Sequence, residues 1–426
     1  MKNSLIDGRF KGNILFNYTT QLIGVAAGFV TVTLITRHAG IHTYGMVAMM
    51  AALAGVLTNL MTFRTNEAVV SFYKRGQLED DFGSCRMALV VGMLLDLVMG
   101  SAAFLLMRFT APLIAGYVLK NPEMTHGVTL FSVIVLANFL RGAPLGLLVA
   151  QEQFRLANSL TLVEQLLKMI LLGAMLLMGV RLTFESIICA YLYPAVGVSV
   201  VVYLFPLYRL FAELRTARIP RGRISDYARF SLSTFLSSTL KAGNQNVDTV
   251  ILGYLTNPAN VGIYSLFRQF LGPIAMISAP FASQIYPRFT GAVARRRYEE
   301  IRSTITHANR LLLRGYLLLS AVIVPALVVY GYWNRLGFTT VQYFTFGLML
   351  INALILQQLW WCRPFSLAVD PNLSLRANLI YSISLLFSLC LAISLAGFIG
   401  VGLALTFTAC IQAAYWMKCL RNVINA

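Results

Sequence analysis

Charge is what this 426-residue chain has least of. Only 12% of its residues are Asp, Glu, Lys or Arg, against about a quarter in a soluble domain. That excludes an ordinary water-soluble globule. Acidic residues are scarcer still: 16, against 34 Lys plus Arg. The six cysteines (Cys85, Cys189, Cys362, Cys390, Cys410 and Cys419) are scattered. None has the spacing of a metal site or a disulfide framework, so they are expected to be buried thiols. The outer histidines His38, His42 and His126 stand singly, and no metal site is expected. No Gly-rich loop ends in Lys-Ser/Thr, which excludes a P-loop ATPase motor. No large outer loop carries paired carboxylates or a Ser/His/Asp set, which argues against a membrane glycosyltransferase or polymerase. The chain is therefore not expected to be an enzyme or to need a cofactor. No cleavable signal peptide is expected either, because the first twelve residues are polar and no small-residue cleavage site follows.

What is abundant is apolar sequence. Hydrophobic residues make up 58% of the chain, and the mean hydropathy is +0.71. About 20 consecutive apolar residues cross a bilayer core as a helix. Such runs fall near 13–35, 42–63, 84–107, 128–150, 158–180, 184–208, 230–254, 261–284, 309–331, 341–362, 374–396 and 398–418. The expected fold is an all-α polytopic membrane protein with about twelve transmembrane helices. The net charge of +18 follows the same pattern. With both termini placed inside, 26 of the 34 Lys and Arg lie in inner segments and 5 in outer ones, while Lys168, Lys241 and Arg268 lie within spans. That bias holds loop by loop, as the positive-inside rule demands. The basic balance thus needs membrane lipid, not nucleic acid, as its partner. The inner run Arg295-Arg-Arg-Tyr-Glu-Glu-Ile-Arg reads as a topology anchor touching anionic lipid.

A basic segment at 210–229 divides the chain into 1–209 and 230–426, two lobes of six helices each. The lobes look related. Ile41-His-Thr-Tyr-Gly-Met-Val faces Pro258-Ala-Asn-Val-Gly-Ile-Tyr at an offset of 217 residues. Arg141–Leu160 matches Trp361–Ile380 ungapped at an offset of 220, pairing Pro144 with Pro364 and Asn158 with Asn378. Repeated six-helix halves are a transporter architecture, with the substrate path at their interface.

The opening GNILFNYTTQLIGVAAGFVTVTLITRHAGIHTYGMVAMM and the mid-chain FSLSTFLSSTLKAGNQNVDTVILGYLTNPANVGIYSLFRQF resemble the two half-starts of polysaccharide flippases. The most telling stretch runs from Asp248 to Tyr264. The family is the Wzx-type O-antigen flippase branch of the multidrug/oligosaccharidyl-lipid/polysaccharide exporter superfamily. The resemblance implies transfer of an undecaprenyl-pyrophosphate-linked oligosaccharide to the periplasmic leaflet of the bacterial inner membrane. It also implies two lobes in a V, a cavity lined by the first, second, seventh and eighth helices, and an ion gradient (proton or sodium) as driving force. A glycan polymerase and a chain-length regulator would be its partners.

The seventh span carries Ser233, Ser237, Lys241, Asn244, Gln245 and Asp248 at spacings that put them on one helical face. Such a stripe should face the bundle interior or water. Lys241 is the candidate contact for an anionic head group and Asp248 for ion coupling; packing is the plainer alternative. The first span repeats the stripe with Asn13, Asn17, Thr20, Gln21, Gly24, Gly28 and Thr31 but without charge. Asn17, Gln21, Asn244 and Gln245 would offer a sugar chain hydrogen-bonding walls. Arg268 has no carboxylate within four residues and is a candidate anion ligand, as guanidinium matches phosphate oxygens in a fork. Arg64 and Arg141 are either inner-edge anchors or cavity cations. Glu164 and Lys168, at i and i+4, read as a self-neutralising pair, and Asp96 is a second candidate for ion coupling. A drug or cation antiporter of the same superfamily is the competing reading, with a membrane-embedded polyprenyl-glycan transferase behind it.

Overall fold

The computed structural model describes the backbone of residues 8–424 apart from 213, 216, 218, 243–245, 296 and 371. It describes side chains from 16 to 423, apart from those of the same residues and of 221, 233, 234, 236–242, 279–284, 286–288 and 294. The first half of the chain forms α1 (Gly8–His38), α2 (Gly40–Met61), α3 (Thr65–Leu78), α4 (Phe82–Phe109), α5 (Thr125–Phe139), α6 (Gly142–Ala150), α7 (Phe154–Leu177) and α8 (Phe184–Ala212). The second forms α9 (Arg221–Ala242), α10 (Val247–Leu255), α11 (Pro258–Ala294), α12 (Tyr298–Trp333), α13 (Thr340–Gln358), α14 (Cys362–Val369), α15 (Asn372–Ala396) and α16 (Phe398–Ile424). Among the described residues each of the twelve apolar runs is mostly helical. Among the described residues, ten segments are long and apolar enough to cross a membrane. Large apolar side chains such as Leu177, Leu317, Leu318, Val329 and Leu395 remain exposed, as lipid-facing helix surfaces require. This is a multi-pass membrane protein.

Backbone chemistry decides where the runs break. The fourth run is not one helix: α5 ends at Phe139 and α6 begins at Gly142. Pro144 has no N–H, and its ring displaces the carbonyl four residues earlier. The helix restarts with the Leu145 amide bonded to the Arg141 carbonyl at 3.0 Å. Pro364 does the same in the second half, where Phe365 N bonds the Trp361 carbonyl at 2.9 Å. The break thus falls at the paired positions 141 and 361.

The expected single polar face across 233–248 does not hold. Helix α9 ends at Ala242 and α10 opens at Val247, with Asn246 left-handed at φ 71°. Glycine and asparagine, the residue types at 243, 244 and 246, are poor helix formers, and Asn tolerates the left-handed region better than most residues. Lys241 and Asp248 therefore belong to different helices.

The chain divides into two compact units, Met1–Ala242 and Gly243–Ala426. In the first, α1 lies along α7, α3 packs on α4 and α6, and α5 packs between α4 and α8. Helix α9 packs on α2, α3 and α4. Near its start Arg223 reaches Glu79 at 3.0 Å, the Ser84 hydroxyl at 2.9 Å and Asp81 at 3.2 Å. The core there includes Val69, Tyr73, Met87, Leu147 and Tyr227. In the second unit α16 lies along α13 and α15, α11 packs on α12 and α14, and α10 packs on α11 and α15. Its core holds Phe289, Ile305, Trp361, Phe365 and Trp416, with the Trp361 ring edge-on to Phe365 and Trp416 at 5.6 and 6.2 Å. The expectation of buried thiols holds for Cys85 and Cys362 only. Cys390 and Cys410 are exposed, a position that costs a small apolar side chain little when the surroundings are lipid.

Candidate functional site

Each unit buries its own cluster of charges. In the first, the helix break at Arg141 brings that guanidinium between α7 and α8. Its Nη1 pairs with Glu164, its Nε donates to Ser199 Oγ at 2.7 Å, and its Nη2 donates to the Ala195 carbonyl at 2.5 Å. Glu164 also holds Lys168 at 2.5 Å, whose ammonium stands 5.2 Å from the centroid of the Tyr191 ring. The i,i+4 pair expected along α7 is thus one side of a triad with an excess positive charge. All three side chains are largely shielded, at 13%, 10% and 21% exposure. Arg141 is no lipid-edge anchor: all its nitrogens have protein partners, and it ties the α5–α6 break to α7 and α8.

Asp96 lies in α4 at 4% exposure. Its carboxylate accepts from Thr65 Oγ1 at 2.5 Å and from the Ala143 amide at 2.6 Å. Thr65 opens α3 and Ala143 is the second residue of α6. One carboxylate therefore sits at two helix N-termini, where unsatisfied amides carry partial positive charge. The approach is close because Gly142 has no side chain; a Cβ there would stand 2.8 Å from both Asp96 oxygens.

The second unit centres on Asp248, in the first turn of α10 and 8% exposed. It accepts from the Tyr264 hydroxyl and, at 2.7 Å, from the Thr249 amide. Arg268, nearly three turns along α11, sends Nη1 to Asp248 at 3.4 Å, to Thr249 Oγ1 at 3.1 Å and to Asn246 Oδ1 at 3.5 Å. It has no carboxylate on its own helix, but the neighbouring helix supplies one. The contacts are long and the Arg268 side chain remains 42% exposed.

The remaining candidates are placed less tightly. The Lys241 side chain and the whole of Asn244 and Gln245 lie outside the described residues. Asn17 accepts from Gln21 Nε2 at 3.1 Å along α1, so these two form one local pair. Arg64 takes a left-handed backbone at φ 51° before α3 and reaches Glu67 at 3.4 Å, the i,i+3 pairing expected. Sequence reasoning missed Thr65, Ser199, Thr249 and Tyr264. Only Tyr264 carried a signal: it closes the Asp248–Tyr264 stretch on which the family resemblance rests. Among the described residues no group of three His, Cys, Asp or Glu side chains could hold a metal ion.

The fold is similar to that of several membrane transporters. A multidrug resistance transporter of the MATE family in the MOP superfamily superposes with a TM-score of 0.74 at 12% identity, over 96% of this chain and 99% of that one. The lipid II flippase MurJ gives 0.69 at 14% identity, over 96% and 87%. A MOP-superfamily transporter from Pyrococcus furiosus Vc1, whose binding pocket has a reversed polarity suggesting a different function, gives 0.60 at 13% over 96% of both. No curated protein matches the sequence. The fold is thus the one these MOP-superfamily transporters share, which implies about twelve transmembrane helices. A family model described as polysaccharide biosynthesis protein matches residues 10–293, and the chain belongs to that family.

Proposed function

We propose that the protein carries an undecaprenyl-diphosphate-linked oligosaccharide from the cytoplasmic to the periplasmic leaflet of a bacterial inner membrane by alternating access. The observation that carries this reading is the conjunction of family and fold: a polysaccharide biosynthesis protein built as a transporter. The repeat unit of an O-antigen is the substrate class, and a glycan polymerase with its chain-length regulator would use the product.

Arg268 and Asp248 suggest how an ion gradient enters. A diphosphate carries about two negative charges, and a guanidinium meets it with charge-assisted hydrogen bonds stronger than neutral ones. Substrate bound to Arg268 competes with Asp248 for the same cation. Freed of Arg268, Asp248 keeps its hydrogen-bond donors but loses its counter-charge, a place that a cation from the gradient would take. Release of the head group reverses the exchange. Lys241 would add a second cation from α9. Asn17, Gln21, Asn244 and Gln245 would line the sugar path and Arg64 its inner end. Arg141 and Asp96, fully engaged by protein groups, would position helices around the path.

Deleting the gene should trap the lipid-linked repeat unit on the cytoplasmic face and remove surface glycan. Arg268→Ala and Lys241→Ala should each reproduce that loss while the protein stays in the membrane. Normal surface glycan from both variants would refute the cationic path. Multidrug transporters share the fold, so a drug antiporter is the second reading; it requires a changed resistance profile on deletion, with surface glycan intact.

A further inference from the structure

Helix α12 is 36 residues long, about 54 Å at 1.5 Å per residue. That is far more than the about 30 Å of a bilayer core. Its first four turns, on the side that the charge bias assigns to the cytoplasm, are amphipathic. Ile301, Ile305, Ala308 and Leu312 are buried in the core of the second unit. The opposite face carries Ser303, His307, Arg310 and Arg314 at spacings of four, three and four, all exposed. An open cavity of about 730 Å³ lies against this segment, lined among the described residues by Arg302, His307, Arg310, Glu299, Ile285 and the hydroxyl residues Ser303, Thr304 and Thr306. Among the described residues His307, Arg310 and Arg314 have no hydrogen-bond or ion-pair partner, and Arg302 meets Glu299 at 3.7 Å. Arg310 and Arg314, at i and i+4, repel each other, and an anion between them would relieve that. The hydroxyls of Ser303, Thr304 and Thr306 are turned back onto carbonyls of their own helix, which leaves the cations as the binding groups.

We propose that this cavity is a second, cytoplasmic binding site for a lipid diphosphate, separate from the Asp248–Arg268 cluster. It would hold the head group of the carrier lipid before transport, and in that role it rests on the flippase reading. Arg302 and Arg310 are two turns apart, about 12 Å along the axis. Both side chains line the cavity, and Arg302, turned from its 3.7 Å contact with Glu299, would reach a group between the two from one end and Arg310 from the other, with the His307 imidazole alongside. Two linked phosphates offer acceptors to both arginines at once, whereas a single phosphodiester can satisfy one. The charge complementarity therefore selects a diphosphate over a bulk phospholipid.

The test uses the full-length protein in nanodiscs, with farnesyl diphosphate, farnesyl monophosphate and phosphatidylglycerol as probes. Wild type should bind the diphosphate in preference to the other two. Arg302→Gln/Arg310→Gln should weaken diphosphate binding about thirtyfold, as loss of two surface cations implies, with the melting temperature unchanged because both side chains are exposed. Equal competition by phosphatidylglycerol, or undiminished binding by the double variant, would overturn the site and leave these arginines as ordinary lipid anchors. Diphosphate binding lost in the double variant, together with normal export of the lipid-linked glycan in the gene deletion, would keep the site and sink the flippase reading alone.

Discussion

The two halves of the chain break different helices. In the first, α1 runs unbroken for 31 residues, and the next segment is interrupted at Thr62–Arg64 to give α2 and α3. In the second the order is reversed. The opening segment is interrupted before Val247 to give α9 and α10, and the next, α11, runs unbroken for 37 residues. Each half puts a polar feature at its break: Arg64 and the Thr65–Asp96 contact in one, Asn246 and Asp248 in the other. A repeat constrains which segments pair but leaves each copy free to choose where its backbone is unwound. Irregular backbone inside a membrane is tolerated only where protein or a wet cavity satisfies it, so breaks mark where polar groups are wanted.

The shared break at 141 and 361 is filled in opposite ways. Arg141, Glu164 and Lys168 correspond at the offset of 220 to Trp361, Ser384 and Ser388. A buried ion triad in one half is an aromatic contact in the other. The sharpest way to break this comparison is at Glu164. Glu164→Ala leaves two shielded cations without a counter-charge and should cost about 3–5 kcal/mol, while Ser384→Ala should change stability by less than about 0.5 kcal/mol. Thermal unfolding in detergent reads both, and equal shifts would mean that the triad is not what holds α6 to α7. Trp361→Ala should also lose about 3–5 kcal/mol, by cavity formation; because no charge is involved, its loss should not depend on salt.

Asp96 offers a smaller effect. Asp96→Ala strands the Thr65 hydroxyl and the Ala143 amide and should cost about 1–3 kcal/mol. Asp96→Asn keeps an acceptor and should recover part of this. Transport surviving in Asp96→Asn at unchanged coupling would make Asp96 an anchor; lost coupling in a stable Asp96→Asn protein would restore the ion-coupling role expected for it.

The smallest contrast lies at the starts of α4 and α12, where Asp81 and Arg297 occupy matching positions. Asp81 caps α4, accepting from the Ser84 amide at 3.1 Å and the Ser84 hydroxyl at 2.7 Å; Arg297 makes no such bond. Asp81→Ala should cost about 1 kcal/mol and Arg297→Ala almost nothing. The Ser84 side-chain and backbone hydrogen bonds, with Arg223 beside them, hold the Asp81 carboxyl below its ordinary value of 3.8. A depressed acid favours folding above that value and loses its contribution as pH falls through the lower folded value. The difference between wild type and Asp81→Ala should therefore narrow in acid, and a widening gap would contradict the cap.

An all-helical membrane fold of about twelve spans was legible in the sequence. In lipid each backbone group must bond within its own segment, so an apolar run of sufficient length is already a helix. Pro144 and Pro364 even mark the shared break, since proline acts on the carbonyl four residues back. The seventh run was misread as one helical face because a polar stripe and a helix break use the same residue types; Gly243 and Asn246 serve either. Charge pairing was beyond reach for a different reason. Arg141 meets Glu164 across 23 residues and Arg268 meets Asp248 across 20, and such distances are set by helix packing, not by spacing along one helix. Local hydrogen bonding and the cost of polar backbone in lipid determined the elements. Only the tertiary structure decided which partners the few charges within spans meet: Glu164, Ser199 and the Ala195 carbonyl for Arg141, and Asp248, Thr249 and Asn246 for Arg268.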